Sequence, residues 1–213
     1  MKENDRYIVI LAGGIGINFW PSSRRQKPKQ FLDLMGTGRT LLQMTYDRYV
    51  NHFDNYQFII VTNKEYFSLV KEQLPDIREE QILMEPMRRN TAASIALASY
   101  KIQKLNPNAK VLISPSDQLI FNEKLFFEAI DLAMEGASDL RKLITIGIKP
   151  NRPDTNFGYI QFYQEAGQSV KKVKTFSEKP DLNLATTFIE SGDFVWNTGT
   201  FVWKNESIIQ AYE

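Results

Sequence analysis

The chain has 213 residues, of which 43% are hydrophobic and 24% charged, so it can bury a proper core as one large or two small domains. Its 26 Lys and Arg residues against 25 Asp and Glu residues give a formal net charge of +1, which argues against sequence-independent nucleic-acid binding, because that needs a strongly basic face. The absence of cysteine excludes disulfides, thiolate nucleophiles and cysteine-ligated zinc, and it is typical of a reducing cytoplasm.

The first two thirds of the chain alternate short apolar runs with amphipathic stretches. The runs predict buried strands at residues 7–12, 58–62, 82–84, 110–114 and 143–148. The stretches predict helices at residues 40–53, 63–74, 90–105 and 122–138. Thr40 and Gln43 form a predicted capping box at the first helix. The alternation indicates an α/β layer fold, and the first apolar run is far too short for a signal peptide or a membrane span, so we expect a soluble, cytoplasmic protein.

After residue 148 the pattern changes to a polar segment and then to shorter elements. Residues 158–163 and 169–179 follow at hairpin spacing and predict antiparallel strands. Further on, the pattern predicts a helix at 181–193, a strand at 195–203 and the start of a helix at 204–213. We expect one domain whose second half, from about residue 149, is specialised for a different ligand, in a chain that ends in mid-structure.

The stretch LAGGIGINFWPSSRRQKPKQF, residues 11–31, follows the first predicted strand. Ligands of open α/β sheets bind beyond the carboxyl ends of the strands, and Gly13, Gly14 and Gly16 let backbone amides approach a phosphate closely. The spacing is neither GxGxxG nor GxxxxGK[ST]. The loop also carries four basic residues, Arg24, Arg25, Lys27 and Lys29. A solvated basic loop is the alternative, but the glycine turn on the same loop favours polyphosphate binding.

LAGG-x-G, WP-x-SR and PKQF in this stretch resemble the sugar-1-phosphate nucleotidyltransferases, and specifically the bacterial mannose-1-phosphate guanylyltransferases. The resemblance continues through EPMRRNTAAS, SPSDQLI, GIKPNRPDTNFGYI, FSEKP and WNTGTFVW, and so runs the whole chain. It implies a three-layer α/β/α Rossmann-like nucleotidyltransferase fold with a mixed, mostly parallel sheet and a small antiparallel subregion on the sugar side. It also implies one truncated domain at 1–213, with a nucleotide-binding half at about 1–148 and a sugar-phosphate half at about 149–213.

The implied reaction joins mannose 1-phosphate to the α-phosphate of GTP and expels pyrophosphate. The sugar phosphate is already ionised near pH 7, so the site needs positioning and charge neutralisation rather than a general base. The resemblance implies catalytic roles for Lys29, which meets the transferring phosphates, for Arg24, and for Asp117, which binds the cofactor Mg²⁺. Without the neighbouring motifs, Asp117 would be taken for an ordinary turn or N-cap aspartate.

Two further groups of residues are implied to bind the substrates. Glu85 can accept hydrogen bonds from the N1–H and the exocyclic amine of guanine, although a surface acid before a proline is the alternative. The implied nucleotide-binding residues are Leu11, Ala12, Gly13, Gly14, Gly16, Glu85, Arg89, Asn90 and Thr91. The implied sugar-phosphate-binding residues are Gly158, Glu178, Lys179, Asn197 and Gly199.

Two features depart from the family's pattern. The family normally has G-x-G-T/S-R in the glycine loop, whereas this chain has Asn18 in place of the arginine, a loss of about 2–4 kcal/mol in transition-state stabilisation. A later aspartate of the metal site and a C-terminal β-helical region are expected beyond Glu213. We therefore expect this fragment to fold and bind ligand but to turn over poorly or not at all.

The residues leave two alternatives open. One is another sugar-1-phosphate nucleotidyltransferase, with a different base or hexose. The other is a non-catalytic sugar-nucleotide-binding regulatory protein, which the asparagine at position 18 favours. The expected partners are GTP and mannose 1-phosphate, with neither nucleic acid nor a membrane, and a homo-oligomer is left open.

Overall fold

The computed structural model describes residues 5–54, 56–140, 142–165, 167 and 169–213, and for Asn18 the backbone alone. The chain divides into two compact units. The first unit comprises Met1–Ile144 and Phe201–Glu213, and the second unit comprises Thr145–Thr200. The last thirteen residues thus lie in the first unit, whereas the sequence analysis placed them in the second half. That the chain forms one domain stays a prediction.

The predicted elements are present in the predicted order. The strands are β1 (Arg6–Leu11), β2 (Gln57–Asn63), β3 (Ile82–Glu85), β4 (Lys110–Pro115), β5 (Leu143–Ile148), β6 (Tyr159–Phe162), β7 (Val173–Ser177) and β8 (Phe194–Lys204). The helices are α1 (Leu41–His52), α2 (Phe67–Gln73), α3 (Asn90–Leu105), α4 (Glu123–Gly136), α5 (Leu182–Ser191) and α6 (Asn205–Tyr212). Across the described residues, no helix is both long enough and apolar enough to span a membrane.

The first unit is built on a mixed, mostly parallel sheet. Its strands lie in the order β3-β2-β1-β4, and all three pairings are parallel. On the other side of β4, the last residues of β8 pair antiparallel, from Phe201 opposite Ile113 to Lys204 opposite Lys110. The mixed sheet expected for this part of the chain is confirmed.

Helices cover both faces of this sheet, which explains why its central strands are apolar throughout. On one face α3 packs against alternate residues of β1, β2 and β4, and the buried cluster there includes Val9, Val61, Ile102 and Val111. On the other face, the Tyr49 hydroxyl of α1 donates a hydrogen bond of 2.9 Å to the Ser114 Oγ of β4. Tyr49 also lies edge-on to Phe127 of α4. The predicted three-layer α/β/α arrangement is therefore confirmed.

Local capping sets where the helices begin. At α1 the Thr40 hydroxyl accepts from the Gln43 N–H, and the Gln43 side chain accepts from the Thr40 N–H, so the predicted capping box is confirmed. At α4 the Asn122 side chain accepts from the Leu125 N–H.

The second unit contains the antiparallel part of the chain. β6 pairs antiparallel with β7, as the hairpin spacing predicted. β6 also pairs antiparallel with the beginning of β8. The small core of this unit is formed by Tyr159, Ala185 and Phe194, with Phe188 of α5 packed against it.

The prediction of five buried strands was wrong for β5. Leu143 and Ile148 of β5 are each 49% exposed, because β5 pairs with β8 alone in the described part of the chain and so has a free edge. β3 is also only half-buried: Met84 is exposed, since β3 is the edge strand of the first unit's sheet. An apolar run indicates a strand, but how deeply the strand is buried depends on neighbours that the run does not specify.

Candidate functional site

The carboxyl ends of four parallel strands meet at one edge of the first unit's sheet. β1 is followed by the glycine loop, β2 ends at Asn63, β3 ends at Glu85, and β4 is followed closely by Asp117. This is the edge at which open α/β sheets bind their ligands. The structure therefore places the predicted glycine loop, Glu85 and Asp117 at the same edge.

The beginning of the glycine loop is fixed by hydrogen bonds to its backbone. The Ala12 N–H donates to the Val61 carbonyl at 2.7 Å. The buried Gln30 amide donates to the carbonyls of Ala12 and Gly14 at 3.0 and 2.8 Å. Gln30 belongs to the PKQF motif, beside Lys29. Its hydrogen bonds to the glycine loop were not predicted, because nothing in the sequence indicates which backbone carbonyls a side chain reaches.

Gly16 is required by its backbone conformation, and Gly13 leaves room for a neighbouring side chain. Gly16 has φ +62°, and a Cβ there would lie 2.6 Å from the Ser23 Oγ, so a larger residue is both strained and obstructed. A Cβ on Gly13 would lie 2.7 Å from the Glu85 Oε2. Gly14 differs, since a Cβ there would meet no atom within 4 Å. The space beside Gly14 is therefore open to a ligand.

Lys29 and Asp117 form an ion pair at this edge. Their Nζ and Oδ2 atoms are 2.8 Å apart, and the side chains are 26% and 27% exposed. The Lys29 ammonium also lies 5.1 Å from the centre of the Phe19 ring. Two of the three residues predicted to be catalytic are thus in direct contact, and both remain accessible to a ligand.

Hydrogen bonds from neighbouring residues hold the segments that carry this pair. The Ser23 hydroxyl accepts from the Lys29 N–H at 3.0 Å and donates to the Ile15 carbonyl at 3.2 Å, which joins the glycine loop to the Lys29 turn. The buried Arg48 guanidinium donates to the carbonyl of Gln118, the residue after Asp117. Neither Ser23 nor Arg48 was predicted, and both act through backbone groups that sequence motifs do not display.

Arg24, the third residue predicted to be catalytic, is not part of the ion pair. Its side chain is exposed and donates to the Pro21 carbonyl of its own turn at 3.1 Å. No contact joins it to Lys29 or Asp117 within the described residues. Asn18 lies in a short 3₁₀ turn, Ile17–Phe19, and its side chain lies outside the described residues.

Part of the basic loop is neutralised by a carboxylate from the segment that follows β2. Arg25 forms an ion pair with Glu65 at 2.7 Å, and Arg88 approaches the other oxygen of Glu65 at 3.5 Å. The hydrogen bond from the Arg25 guanidinium lowers the pKa of the Glu65 carboxyl. Arg88 also donates to the Tyr66 hydroxyl at 2.7 Å. This exposed arginine cluster was not predicted, because its carboxylate lies outside the motifs.

The predicted nucleotide-binding residues around α3 surround the end of β3. Glu85 is buried, and the Ser94 hydroxyl donates a hydrogen bond of 2.5 Å to its Oε1. Asn90, with φ +61°, begins α3, and Arg89 before it provides no side-chain cap. Arg89, Asn90 and Thr91 are exposed, so the N–H groups of the first turn of this helix are available to a ligand.

Of the predicted residues at this edge, Asp117 is the one assigned to the metal ion. Within the described residues there is no group of three or more His, Cys, Asp or Glu side chains that could hold a metal. Mg²⁺ is commonly bound by one or two carboxylates together with substrate phosphates and water. The single carboxylate of Asp117 therefore fits an Mg²⁺ ion that arrives with a polyphosphate, and it does not form a site of its own.

The five predicted sugar-phosphate residues all lie in the second unit, and contacts link each of them to at least one other. The Asn197 N–H donates to the Gly158 carbonyl at 2.8 Å, and the Asn197 side chain accepts from the Gly199 N–H at 2.9 Å. A Cβ on Gly158 would lie 3.8 Å from the Glu178 Oε2. Lys179 is 3.7 Å from the Glu178 carboxylate, and both side chains are largely exposed.

Two cavities in the described part of the chain lie elsewhere. Their volumes are about 310 and about 400 Å³, and both are lined by Arg48, Asn51 and Glu123 of α1 and α4. No residue of the predicted site lines either cavity.

Comparisons with known proteins agree with the resemblance seen in the motifs. Residues 7–212 match the family model described as nucleotidyl transferase. The chain is 39% identical over 201 residues to the alginate biosynthesis protein AlgA of Pseudomonas aeruginosa, an alignment that covers 92% of this chain and 41% of AlgA. It is 37% identical over 201 residues to the mannose-1-phosphate guanylyltransferase of Escherichia coli, covering 92% of this chain and 42% of the relative.

A solved structure is also similar to the whole chain. A Thermus thermophilus protein described as mannose-1-phosphate geranyltransferase has a TM-score of 0.88 and 28% sequence identity, over 98% of this chain and 60% of that one. The chain therefore spans less than half of the two curated relatives and 60% of this solved chain.

Proposed function

The chain belongs to the nucleotidyl transferase family, and from this premise we propose that it is the nucleotidyltransferase portion of an enzyme that joins mannose 1-phosphate to GTP, giving GDP-mannose and pyrophosphate. The observation that carries the proposal is the contact of Lys29 with Asp117 at the strand edge beside the glycine loop. The name of the Escherichia coli relative, mannose-1-phosphate guanylyltransferase, supports the mannose and guanine substrates.

The proposed reaction is a displacement at the α-phosphorus of GTP. An oxygen of mannose 1-phosphate forms a bond to the α-phosphorus, and the bond from that phosphorus to the oxygen bridging the α- and β-phosphates breaks. Pyrophosphate leaves with the electron pair of that bond, and no proton has to move because the sugar phosphate is already ionised. The protein then needs to position the two phosphates and to neutralise their charge.

In this proposal the Lys29–Asp117 pair keeps both side chains in place before the nucleotide binds. The Lys29 ammonium has three N–H donors, so it can contact phosphate oxygens while one donor stays on Asp117. Asp117 would hold Mg²⁺, which supplies Lewis-acid stabilisation of the phosphate charge when it is bound. The open space beside Gly14 and the exposed first turn of α3 offer backbone N–H groups to the triphosphate.

We assign the two substrates to different units of the chain. The proposed nucleotide residues, from Leu11 to Thr91, belong to the first unit, and the proposed sugar-phosphate residues, from Gly158 to Gly199, belong to the second. Lys179 would pair with the sugar phosphate, and Glu178 and Asn197 would accept hydrogen bonds from sugar hydroxyls. Arg24 is exposed on the glycine loop and can turn toward phosphate by leaving the Pro21 carbonyl. A cytoplasmic location is part of the same proposal.

The test is a turnover assay of this chain combined with ligand titration. Pyrophosphate release would be measured with GTP, mannose 1-phosphate and Mg²⁺, and compared with UTP plus glucose 1-phosphate and with ATP plus glucose 1-phosphate. Calorimetric titration would compare GDP-mannose with UDP-glucose and ADP-glucose. We expect selective binding of GDP-mannose and release of pyrophosphate, at most slowly, with the GTP and mannose pair alone.

Two outcomes would replace this proposal by an alternative. Preference for another nucleotide sugar would make the chain a sugar-1-phosphate nucleotidyltransferase of different specificity. The second outcome concerns the chain extended to the full length of its relatives. If that chain binds GDP-mannose tightly without turnover, and Asn18→Arg restores turnover, the protein is a non-catalytic regulatory protein, because the family has arginine at this position.

A further inference from the structure

The Ser94 hydroxyl makes a short contact with the carboxylate proposed to recognise guanine. Ser94 lies one turn into α3, and Glu85 is the last residue of β3. Their Oγ and Oε1 atoms are 2.5 Å apart, and the residues are 9% and 6% exposed. The carboxylate is thus anchored to a helix rather than left to rotate at the end of its strand.

The Ser94 hydroxyl can donate its proton to either of two acceptors, the Glu85 carboxylate or a backbone carbonyl. The Asn90 carbonyl, one turn back in the same helix, is 3.2 Å from the Ser94 Oγ. A serine in a helix ordinarily makes this bond to its own backbone. The carboxylate is charged and 0.7 Å nearer, and hydrogen bonds to charged acceptors are the shorter and stronger kind. The hydroxyl therefore donates to Glu85.

Gly13 leaves room for the other oxygen of Glu85, which lies against the glycine loop. A Cβ at position 13 would lie 2.7 Å from Oε2, a distance that side chains essentially do not adopt, so the carboxylate fills the space that the glycine leaves. The carboxylate is confined between α3 on one side and the glycine loop on the other.

The Glu85 carboxylate still has acceptor capacity to spare. Within the described residues, Ser94 provides the one hydrogen bond that it receives. A carboxylate can accept about four hydrogen bonds, and a buried one is costly when it is left short of donors. The two adjacent donors of guanine, N1–H and the exocyclic amine, would supply one hydrogen bond to each oxygen if the carboxylate plane is held in a fixed orientation.

We propose that Ser94 is a positioning residue that orients the Glu85 carboxylate so that both of its oxygens meet the donor edge of guanine. The proposal rests on the proposed function, which makes Glu85 the base-reading residue. Ser94 itself does not touch the base. Its effect is to allow the second contact, to the exocyclic amine, which distinguishes guanine from hypoxanthine.

The experiment compares three nucleoside diphosphates by calorimetric titration in the presence of Mg²⁺. GDP has both donors, IDP lacks the exocyclic amine, and ADP lacks both. A hydrogen bond to a charged group corresponds to about 10- to 150-fold in affinity, so the unmodified chain should bind GDP at least about tenfold more tightly than IDP. Ser94→Ala should reduce that ratio to below about threefold, while Ser94→Thr, which keeps the hydroxyl, should preserve it.

Two variants separate positioning from a general loss of structure. Ser99→Ala is the matched control, because Ser99 is a buried serine of the same helix whose hydroxyl has no partner among the described residues. It should leave the GDP to IDP ratio unchanged. In the Glu85→Gln background, Ser94→Ala should change the ratio no further, since Ser94 acts through the carboxylate. Alanine favours the helix, so the Ser94→Ala chain should remain folded, which circular dichroism would verify.

The results distinguish failure of this inference from failure of the proposed function. If the unmodified chain binds GDP no better than ADP, the chain does not recognise guanine, and the proposed function is overturned. If the chain prefers GDP over IDP and Ser94→Ala keeps the full preference, guanine recognition stands and the role of Ser94 is overturned. An additional effect of Ser94→Ala in the Glu85→Gln background would also overturn it.

Discussion

Replacing Lys29 by methionine removes the ammonium group while keeping a long flexible side chain at the same position. In the structure this ammonium is 2.8 Å from Asp117 and about a quarter exposed. Two explanations of the lysine then make opposite predictions. A structural lysine would lower stability when it is lost, whereas a phosphate-binding lysine would lower affinity for GTP.

The magnitudes separate these two explanations. The two side chains of this ion pair are each about a quarter exposed, so water and salt still screen it in part, and we expect it to contribute about 1 kcal/mol. A hydrogen bond to a charged phosphate contributes about 1.5–3 kcal/mol, which is about 10- to 150-fold in affinity. We therefore expect Lys29→Met to lower the free energy of unfolding by no more than about 1 kcal/mol and to weaken GTP binding by at least about tenfold.

The assay pairs urea denaturation with calorimetric titration of GTP and Mg²⁺, so it does not depend on turnover. Lys27→Met is the matched control, since Lys27 is an exposed lysine of the same loop and its removal changes the net charge equally. It should weaken GTP binding by less than about threefold, the effect expected of a screened surface charge. The reasoning is refuted if the two variants weaken GTP binding equally. It is also refuted if Lys29→Met lowers the free energy of unfolding strongly and leaves the affinity of the folded protein for GTP unchanged.

Two further predictions concern the stability of each unit. Gly16→Ala should destabilise the first unit by about 1–3 kcal/mol, because φ is +62° there and a Cβ would obstruct a serine hydroxyl. Gly14→Ala, the control, should leave the free energy of unfolding nearly unchanged, since a Cβ there meets no atom within 4 Å. Equal urea midpoints for the two variants would contradict this prediction. In the second unit, the hydrogen bond from Ser191 is the largest of several that lower the pKa of Asp193 to about 2, from an ordinary value of 3.8. Stability from this group is present above about pH 4 and is lost as the pH falls toward 2, so Asp193→Asn should flatten that part of the acid denaturation curve, and an unchanged curve would rule out the contribution.

Part of the candidate site could be predicted because it follows directly from chain order. Gly13, Glu85 and Asp117 each come at or just after the end of an apolar strand, and parallel strands bring their carboxyl ends to one edge. The residues that hold the site in place could not be found in this way. Gln30 and Ser94 act through contacts with distant parts of the chain, and a sequence motif does not indicate which distant atom a polar side chain will reach.

The sequence by itself determined the kinds of element, their order and several of their ends. Apolar periodicity and local capping are properties of neighbouring residues, which is why the helix at 90–105 and the capping box at Thr40 were predicted correctly. Only the tertiary structure decided that residues 201–213 return to the first unit, that β5 is exposed, and that Lys29 pairs with Asp117. Each of these depends on which surfaces meet when the chain folds, and the free energy that selects those contacts comes from burial shared among residues far apart in the sequence.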